Sequence, residues 1–401
     1  TKTEFATPFS AEKVAQKLAE RSDGTAQVGQ VGGHSVLQVN GKTTAPVLYK
    51  GEPYATDGDY SRFGEAGVNL ATVSVRLGSI KDEPGVWLGA GKYDFSSADA
   101  AILKALRRNP NAHLIVDVGI YPYREWGDEH PDQCWSDAAG QRAYGWWGNL
   151  EGFTSDLTGL APAGRKYWWY PSYHSAQWRK DAGEALGALI AHLRSTDAWK
   201  TVVGFYITGG HDGQFQVWNR YDYSPASKAA FQQWCREKYG TPQKTAEAWN
   251  VELASFDAVA VPPKSQGAEA AMAYLPTGME LEYRRFSDAA AWDLRDQLAG
   301  VAKTAAGKAV ITIAYGNPPQ YDFHRFLATR NLDASASMSS YPYRRPGYAA
   351  GYIPFDSFDL HGKLFFQELD LRSWTGGGHT ELYDSWVSAA PDIDTWDTVH
   401  R

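Results

Sequence analysis

AHLIVDVGIYPY, residues 112–123, is the run that decides the fold. Apart from His113 and Asp117, its first nine residues are apolar or glycine, and β-branched Ile115, Val116, Val118 and Ile120 fill its centre. A short apolar run without alternation suits a strand buried on both faces. The stretches around it read as helices. Ser96–Arg108 has apolar residues at helical spacing, with Ser96 or Ser97 as the expected N-cap, and Ser175–Ser195 is a longer amphipathic helix. A second continuous apolar run, TVVGFYITGG (201–210), follows that helix. Strand, helix and strand in this form signify a parallel sheet covered on both faces.

The alternation extends in both directions. Upstream, APVLYKG (45–51) and VNLATVSVRLG (68–78) read as strands around a helical stretch at 59–66. Downstream, residues 224–239, 241–249 and 280–306 read as helices, and a helix is expected over 321–330. AVITIAYGN (309–317), LDASASMSSYPY (332–343) and KLFFQELDLR (363–372) read as further strands. Seven such units, with polar chemistry gathered at the strand ends, favour an α/β fold of the (β/α)8 TIM-barrel type over a doubly wound sheet. No Gly-rich phosphate loop follows any strand, which weakens a nucleotide-binding reading.

No eighth strand is evident. It is missing from this chain, or replaced by the N-terminal hairpin, or hidden. Residues 1–43 are expected to form an extension to the barrel of 44–401. The extension has a helix at 11–21, a Gly-rich polar stretch to Gly33, and a hairpin that runs through SVLQV and turns at Asn40-Gly41. Asn-Gly favours the tight type I′ turn. A long aromatic insertion, Trp126 to Tyr173, follows the third strand.

Composition narrows the function. The 401 residues carry 16 Trp, 23 Tyr and 16 Phe, and the Trp and Tyr exceed what a core requires; such a surplus suits a surface that stacks on sugar rings, or a large core with aromatic loops. A net charge of −7 argues against a nucleic-acid or anionic-membrane partner. No apolar run approaches the length of a membrane span. Cys134 and Cys235 are too few for a disulfide framework or a zinc site, and the ten His show no HExxH spacing, so neither metal nor cofactor is expected. No GxSxG elbow supports a serine hydrolase. TKTEFATPFS does not read as a signal peptide, yet a sugar-degrading role makes a secreted or periplasmic location the expectation.

In a barrel the active site is built at the C-terminal strand ends. Arg76 ends the second strand. The third carries Asp117, followed by Tyr121, Tyr123 and Trp126. The fourth runs into His211, Asp212 and Gln214. Tyr315 and Asn317 end the fifth, Ser339, Tyr341 and Tyr343 the sixth, and Glu368, Asp370, Arg372 and Trp374 the seventh. Glu368 is the sharpest of these. It closes the apolar run KLFFQ, where a carboxylate is costly unless it is used or paired. Asp370 and Arg372 follow at alternating positions, so all three can share one face, and a buried Glu–Arg pair is the plainer alternative. Cleaving a glycosidic bond usually takes two carboxyl groups, and the fourth strand, across the mouth, is where a partner for Glu368 is expected. Trp126, Trp135, Trp146, Trp147, Trp168 and Trp169 crowd the insertion and read as a wall around the site, or in part as packing of that loop. Trp234, Trp249 and Trp292 lie in helical patterns and read as packing residues.

HSVLQVNGK…APVLY, PSYHSAQWRKDAGEALGALIAHL (171–193) and VVGFYITGGHDGQF (202–215) lie in one order with two later stretches. These are DYSPASKAAFQQWCREKYGTPQKTAEAWN (222–250) and LHGKLFFQELDLRSW (360–374). Over about residues 35–375 the chain resembles clan A glycoside hydrolases, most of all family 42 β-galactosidases and their uncharacterised relatives. The resemblance implies a retaining mechanism on β-linked sugars, an oligo- or polysaccharide substrate, and Glu368 as nucleophile. It places the acid/base, ordinarily a Glu, on Gln214. Gln can neither donate a proton as an acid nor act as a base. Three readings stay open. Gln214 is an engineered exchange for Glu; or Asp212, on the same side of an extended chain, takes the role; or the acid role is absent or supplied elsewhere, leaving a protein that binds sugar without cleaving it or an unusual mechanism. The resemblance also gives Tyr341 the hydrogen bond to the nucleophile. Arg76, Asp117, Tyr121, Trp126, His211, Tyr315, Asn317, Tyr343, Asp370, Arg372 and Trp374 are left as candidate sugar contacts, and a homo-oligomer is left open.

Overall fold

A computed structural model describes residues 7–51, 57–79, 84–143, 169–210, 213, 215, 221–263, 278–316, 323–338 and 354–368. The strands are β1 (Ala26–Val31), β2 (His34–Val39), β3 (Lys42–Thr43), β4 (Leu70–Arg76), β5 (Trp87–Gly89), β6 (Lys92–Tyr93), β7 (His113–Ile120), β8 (Val202–Gly209), β9 (Ile311–Tyr315), β10 (Ala334–Met338) and β11 (Leu364–Glu368). The helices are α1 (Ala11–Ala19), α2 (Asp57–Glu65), α3 (Ser96–Arg108), α4 (Trp126–Glu129), α5 (Ala176–Arg194), α6 (Pro225–Tyr239), α7 (Pro242–Trp249), α8 (Gly278–Ala306), α9 (Phe323–Leu327) and α10 (Phe355–Leu360).

Six strands form one parallel sheet in the order β11-β10-β9-β8-β7-β4. The expected first strand, 45–51, contributes a single parallel bridge from Tyr49 to Ala71. It is held by Tyr49 N–H to the Leu70 carbonyl (3.0 Å) and by Thr72 N–H to the Tyr49 carbonyl (2.9 Å). Seven parallel segments thus follow one another in chain order, as the alternation of the sequence predicts. Among the described residues no eighth strand joins them.

Both faces of the sheet are apolar because both are covered. Ala71, Val73, Val75, Leu114, Val116, Val118, Phe205 and Ile207 point outward. They pack against Ile102 and Leu106 of α3, Leu186 and Ile190 of α5, and Leu294 and Leu298 of α8. The alternate residues, among them Leu70, Ile115, Tyr206, Ile311, Ile313, Tyr315, Ala336, Leu364 and Phe366, form a second cluster inside. Ala26, Leu37 and Val39 of the N-terminal hairpin belong to this inner cluster. The hairpin lies under the N-terminal ends of the strands, tied there by Ala26 N–H to the Ala309 carbonyl (3.0 Å). The two edges of the sheet meet at the other end. Lys50, just after the first-strand bridge, lies 2.6 Å from Glu368, which ends the opposite edge strand β11. A sheet whose edges come within ion-pairing distance is rolled, as in a barrel.

Local signals account for most boundaries. Ser175, Ser224 and Thr241 cap α5, α6 and α7 by accepting backbone N–H bonds from Trp178, Ser227 and Lys244. The Asn40-Gly41 turn is present, with φ of 50° and 73°. Three readings of the sequence need correction. The polar stretch before Gly33 contains β1, whose exposed outer residues hide its alternation; β1 pairs with β2 across Gly32-Gly33. Neither Ser96 nor Ser97 caps α3. Phe95 holds that position, and the Asp94 carboxylate accepts the Ser96 N–H (2.9 Å). The 321–330 helix is only α9, one turn and a little more.

Candidate active site at the strand ends

Strand alternation puts Arg76, Asp117, Thr208, Tyr315 and Glu368 on the inner side, at or near the C-terminal ends of their strands, because their neighbours Val75, Val116, Val118 and Ile207 face out. Glu368 is the centre of the group. Lys50 Nζ donates to Oε1 (2.6 Å) and the Tyr315 hydroxyl donates to Oε2 (2.5 Å). The same ammonium lies 5.2 Å from the centre of the Tyr315 ring. Lys50 and Glu368 keep 28% and 22% of their side-chain surface exposed, so the carboxylate is sheltered yet reachable. Charge-assisted bonds of this length are stronger than neutral ones and fix the carboxylate plane.

Tyr315 is itself braced from behind. Its carbonyl accepts from Nη1 of Arg295 (2.9 Å), a residue of α8 with no exposed surface. That guanidinium also donates to the Ala291 carbonyl and stacks 3.5 Å from the Trp292 ring. Burial lowers its pKa to about 10, still far above neutrality.

The third and fourth strand ends are linked as well. Thr208 Oγ1 donates to Asp117 Oδ1 (2.7 Å). The buried Tyr121 hydroxyl donates to the Gly210 carbonyl (3.3 Å), immediately before the stretch that carries His211, Asp212 and Gln214. Gly210 turns there with φ of 66°, and a Cβ at that position would lie 2.4 Å from the Tyr170 hydroxyl, so only glycine fits.

The sequence-derived candidates divide as follows. Glu368, Tyr315, Asp117 and Arg76 share the inner rim. Tyr121 supports it from a buried position. Trp126 does not face the mouth: it is wholly buried, edge-on to Trp178 (5.2 Å), with Nε1 donating to Asp181 (2.9 Å). An indole packed between helix and sheet on the outer face has no surface left for a sugar. Trp135 is buried too, donating to the Tyr221 carbonyl, and Trp169 lies under the Arg142 guanidinium (4.1 Å). The described tryptophans of the insertion therefore pack it onto the barrel. Trp249 and Trp292 are buried in helices, and Trp234 packs beside Phe286, as read. His211, Asp212, Gln214, Asn317, Tyr341, Tyr343, Asp370, Arg372, Trp374, Trp146, Trp147 and Trp168 lie outside the described residues. Among the described residues it is Tyr315, from the fifth unit, that makes the bond to Glu368 which the resemblance gave to Tyr341. Lys50 was missed altogether. Its signal was a lysine directly after the apolar run APVLY, at the end of the first strand.

Among the described residues no group of three or more His, Cys, Asp or Glu is arranged to hold a metal ion. No helix of the described residues is long and apolar enough to cross a membrane.

A rolled parallel sheet with a doubly held carboxylate at its C-terminal rim is an arrangement that barrel enzymes use at their active sites. Residues 163–364, half of the chain, match the family model described as Beta-galactosidase, and the chain belongs to glycoside hydrolase family 42. It is 25% identical over 322 residues to the Beta-galactosidase BbgII of Bifidobacterium bifidum, a match that covers 78% of this chain and 38% of that protein. Solved structures share its fold, two of them as follows. The beta-galactosidase from Bacillus circulans sp. alkalophilus has a TM-score of 0.51 at 16% identity, over 88% of this chain and 54% of that one. The catalytic domain of beta-amylase from Paenibacillus polymyxa has a TM-score of 0.52 at 13% identity, over 81% and 86%. The chain thus spans well under half the length of the curated relative.

Proposed function

We propose that the chain cleaves β-linked sugars, in the manner of a β-galactosidase, by a retaining two-carboxylate mechanism. The observation that carries this is Glu368, inward at the end of β11 with each oxygen held by its own donor. A carboxylate so fixed is prepared to attack an anomeric carbon without first reorienting. Its partner belongs to the stretch after β8, which Tyr121 anchors at Gly210. We take Asp212 as the acid/base, two residues before Gln214, the position where similar enzymes carry Glu. A protonated Asp212 would give its proton to the leaving oxygen, and as carboxylate it would then take one from water. Arg76 and Asp117 would hold hydroxyls of the bound ring. If Asp212 cannot serve, Gln214 favours a second reading, a protein that binds carbohydrate in the same mouth without cleaving it.

The test is a panel of nitrophenyl β-glycosides with the wild type, Glu368→Gln, Asp212→Asn and Gln214→Glu. We expect Glu368→Gln to lose activity by at least about 10³-fold. Asp212→Asn should lose roughly 10²-fold or more, because the water that releases the sugar loses its general base. Full activity in Glu368→Gln removes the nucleophile assignment. A gain of activity in Gln214→Glu transfers the acid role to that position. Sugar binding by calorimetry with every variant inactive establishes the second reading.

A further inference from the structure

We infer that Lys50 is a positioning residue for the nucleophile and governs the second half of the reaction, the release of the sugar from Glu368. The inference rests on the nucleophile reading above.

Lys50 and Tyr315 reach Glu368 from different sides of the rolled sheet. Lys50 follows the first-strand bridge, and Tyr315 ends β9. One donor fixes Oε1 and the other Oε2, while the ammonium also sits by the tyrosine ring. The three groups close a triangle, which restricts both the swing and the rotation of the carboxylate. An ion pair whose sole task was to join the sheet edges could lie anywhere along them. This one lies on the reactive carboxylate at the mouth.

The position has a chemical consequence. In the first step a Glu368 oxygen bonds to the anomeric carbon, the bond to the leaving oxygen breaks, and that oxygen takes a proton from the acid. The carboxylate charge is absorbed into the ester while Lys50 keeps its proton. In the second step a water oxygen bonds to the anomeric carbon and the ester C–O bond breaks. The electron pair returns to Glu368, and the water's proton goes to the base. The charge that reappears lies beside the Lys50 ammonium. The cation therefore opposes the first step slightly and favours the second, because it stabilises the departing carboxylate.

The experiment uses 2,4-dinitrophenyl β-galactoside, whose leaving group departs without protonation, so the outcome does not depend on which residue is the acid. Wild type, Lys50→Met and Lys50→Arg are compared in kcat and KM. Each is also treated with the 2-deoxy-2-fluoro analogue, and the labelled peptide is located by mass spectrometry. We expect Lys50→Met to lose kcat by about 10- to 100-fold with KM falling in parallel, because the glycosyl ester accumulates. Its fluorosugar adduct should form on Glu368 and be released at least about tenfold more slowly than that of the wild type. Lys50→Arg, which keeps the charge, should recover most of kcat. A merely structural role would lower activity without lowering KM. Unchanged kcat and adduct release in Lys50→Met, or a fall in kcat with KM unchanged or raised, overturns the inference and leaves the nucleophile reading standing. Failure of the wild type to be labelled on Glu368 overturns both.

Discussion

Tyr315 is fixed at both ends, by Arg295 at its carbonyl and by Glu368 at its hydroxyl. Tyr315→Phe removes one charge-assisted bond without altering the packing of the ring. We expect kcat to fall roughly 10- to 100-fold, corresponding to about 1.5–3 kcal/mol, with the melting temperature nearly unchanged. Steady-state kinetics and a thermal melt check both parts. Glu368 stood out in the sequence because an acid that closes the apolar run KLFFQ is costly unless it is used or paired. Its two partners did not. Lys50 is 318 positions away and Tyr315 is 53, and no local pattern reports a contact that forms only when the sheet rolls. Trp126 shows the opposite failure: a tryptophan after a strand end looks like a sugar platform, and only packing shows that it faces the outer helices.

The N-terminal hairpin is more than an attachment. Leu37 is almost wholly buried, and with Ala26 and Val39 it extends the inner cluster of the sheet. Leu37→Ala should destabilise the whole fold by about 2–5 kcal/mol, a value that a denaturant titration followed by tryptophan fluorescence can read. A loss below about 0.5 kcal/mol would mean that the hairpin does not share the core's cooperativity. Elements with strong local chemistry were legible. Three helices were read to start at Ser175, Ser224 and Thr241, the residues that cap them, and the apolar centres of β7 and β8 marked the sheet. Strand β1 was not legible, because AQVGQV offers little apolar contrast. The short β5–β6 pair was not either, because its register is irregular and β6 has only two residues.

At the scale of the molecule, acid should weaken the fold through His113. This residue opens β7, where its Nδ1 accepts from Arg21 (3.2 Å). Burial first, and the Arg21 charge second, lower its imidazole from the usual 6.5 to about 4. Between those two values the unfolded chain binds a proton that the folded chain does not. The stability gained from the neutral ring is therefore complete above pH 6.5 and is lost as the pH falls toward 4. Because the ring is only half-buried, the loss should be roughly 1–2 kcal/mol. His113→Gln should flatten the pH dependence of stability in that window, as read by melts at pH 7, 5.5 and 4; parallel curves for the two proteins would reject the assignment. The order of the sheet was legible because strands and helices alternate along the chain. The barrel was expected from the count of strand–helix units and the polar strand ends, but the contact that brings the two edges together was not, since nothing in the sequence near residue 50 refers to residue 368.

The same continuous run of chain, from Ala26 to Lys50, forms the base under the strands, passes up the side as the bridge to Ala71, and ends beside Glu368 at the rim. It behaves like a handle riveted at both ends. Trimming the protein at residue 43, where the hairpin ends, would strip the cover from Leu70, Ile115, Val203 and Ile311 and leave the rim lysine hanging from one bridge. A shortened chain would then fail by leaking from below, long before anything at its mouth had been touched.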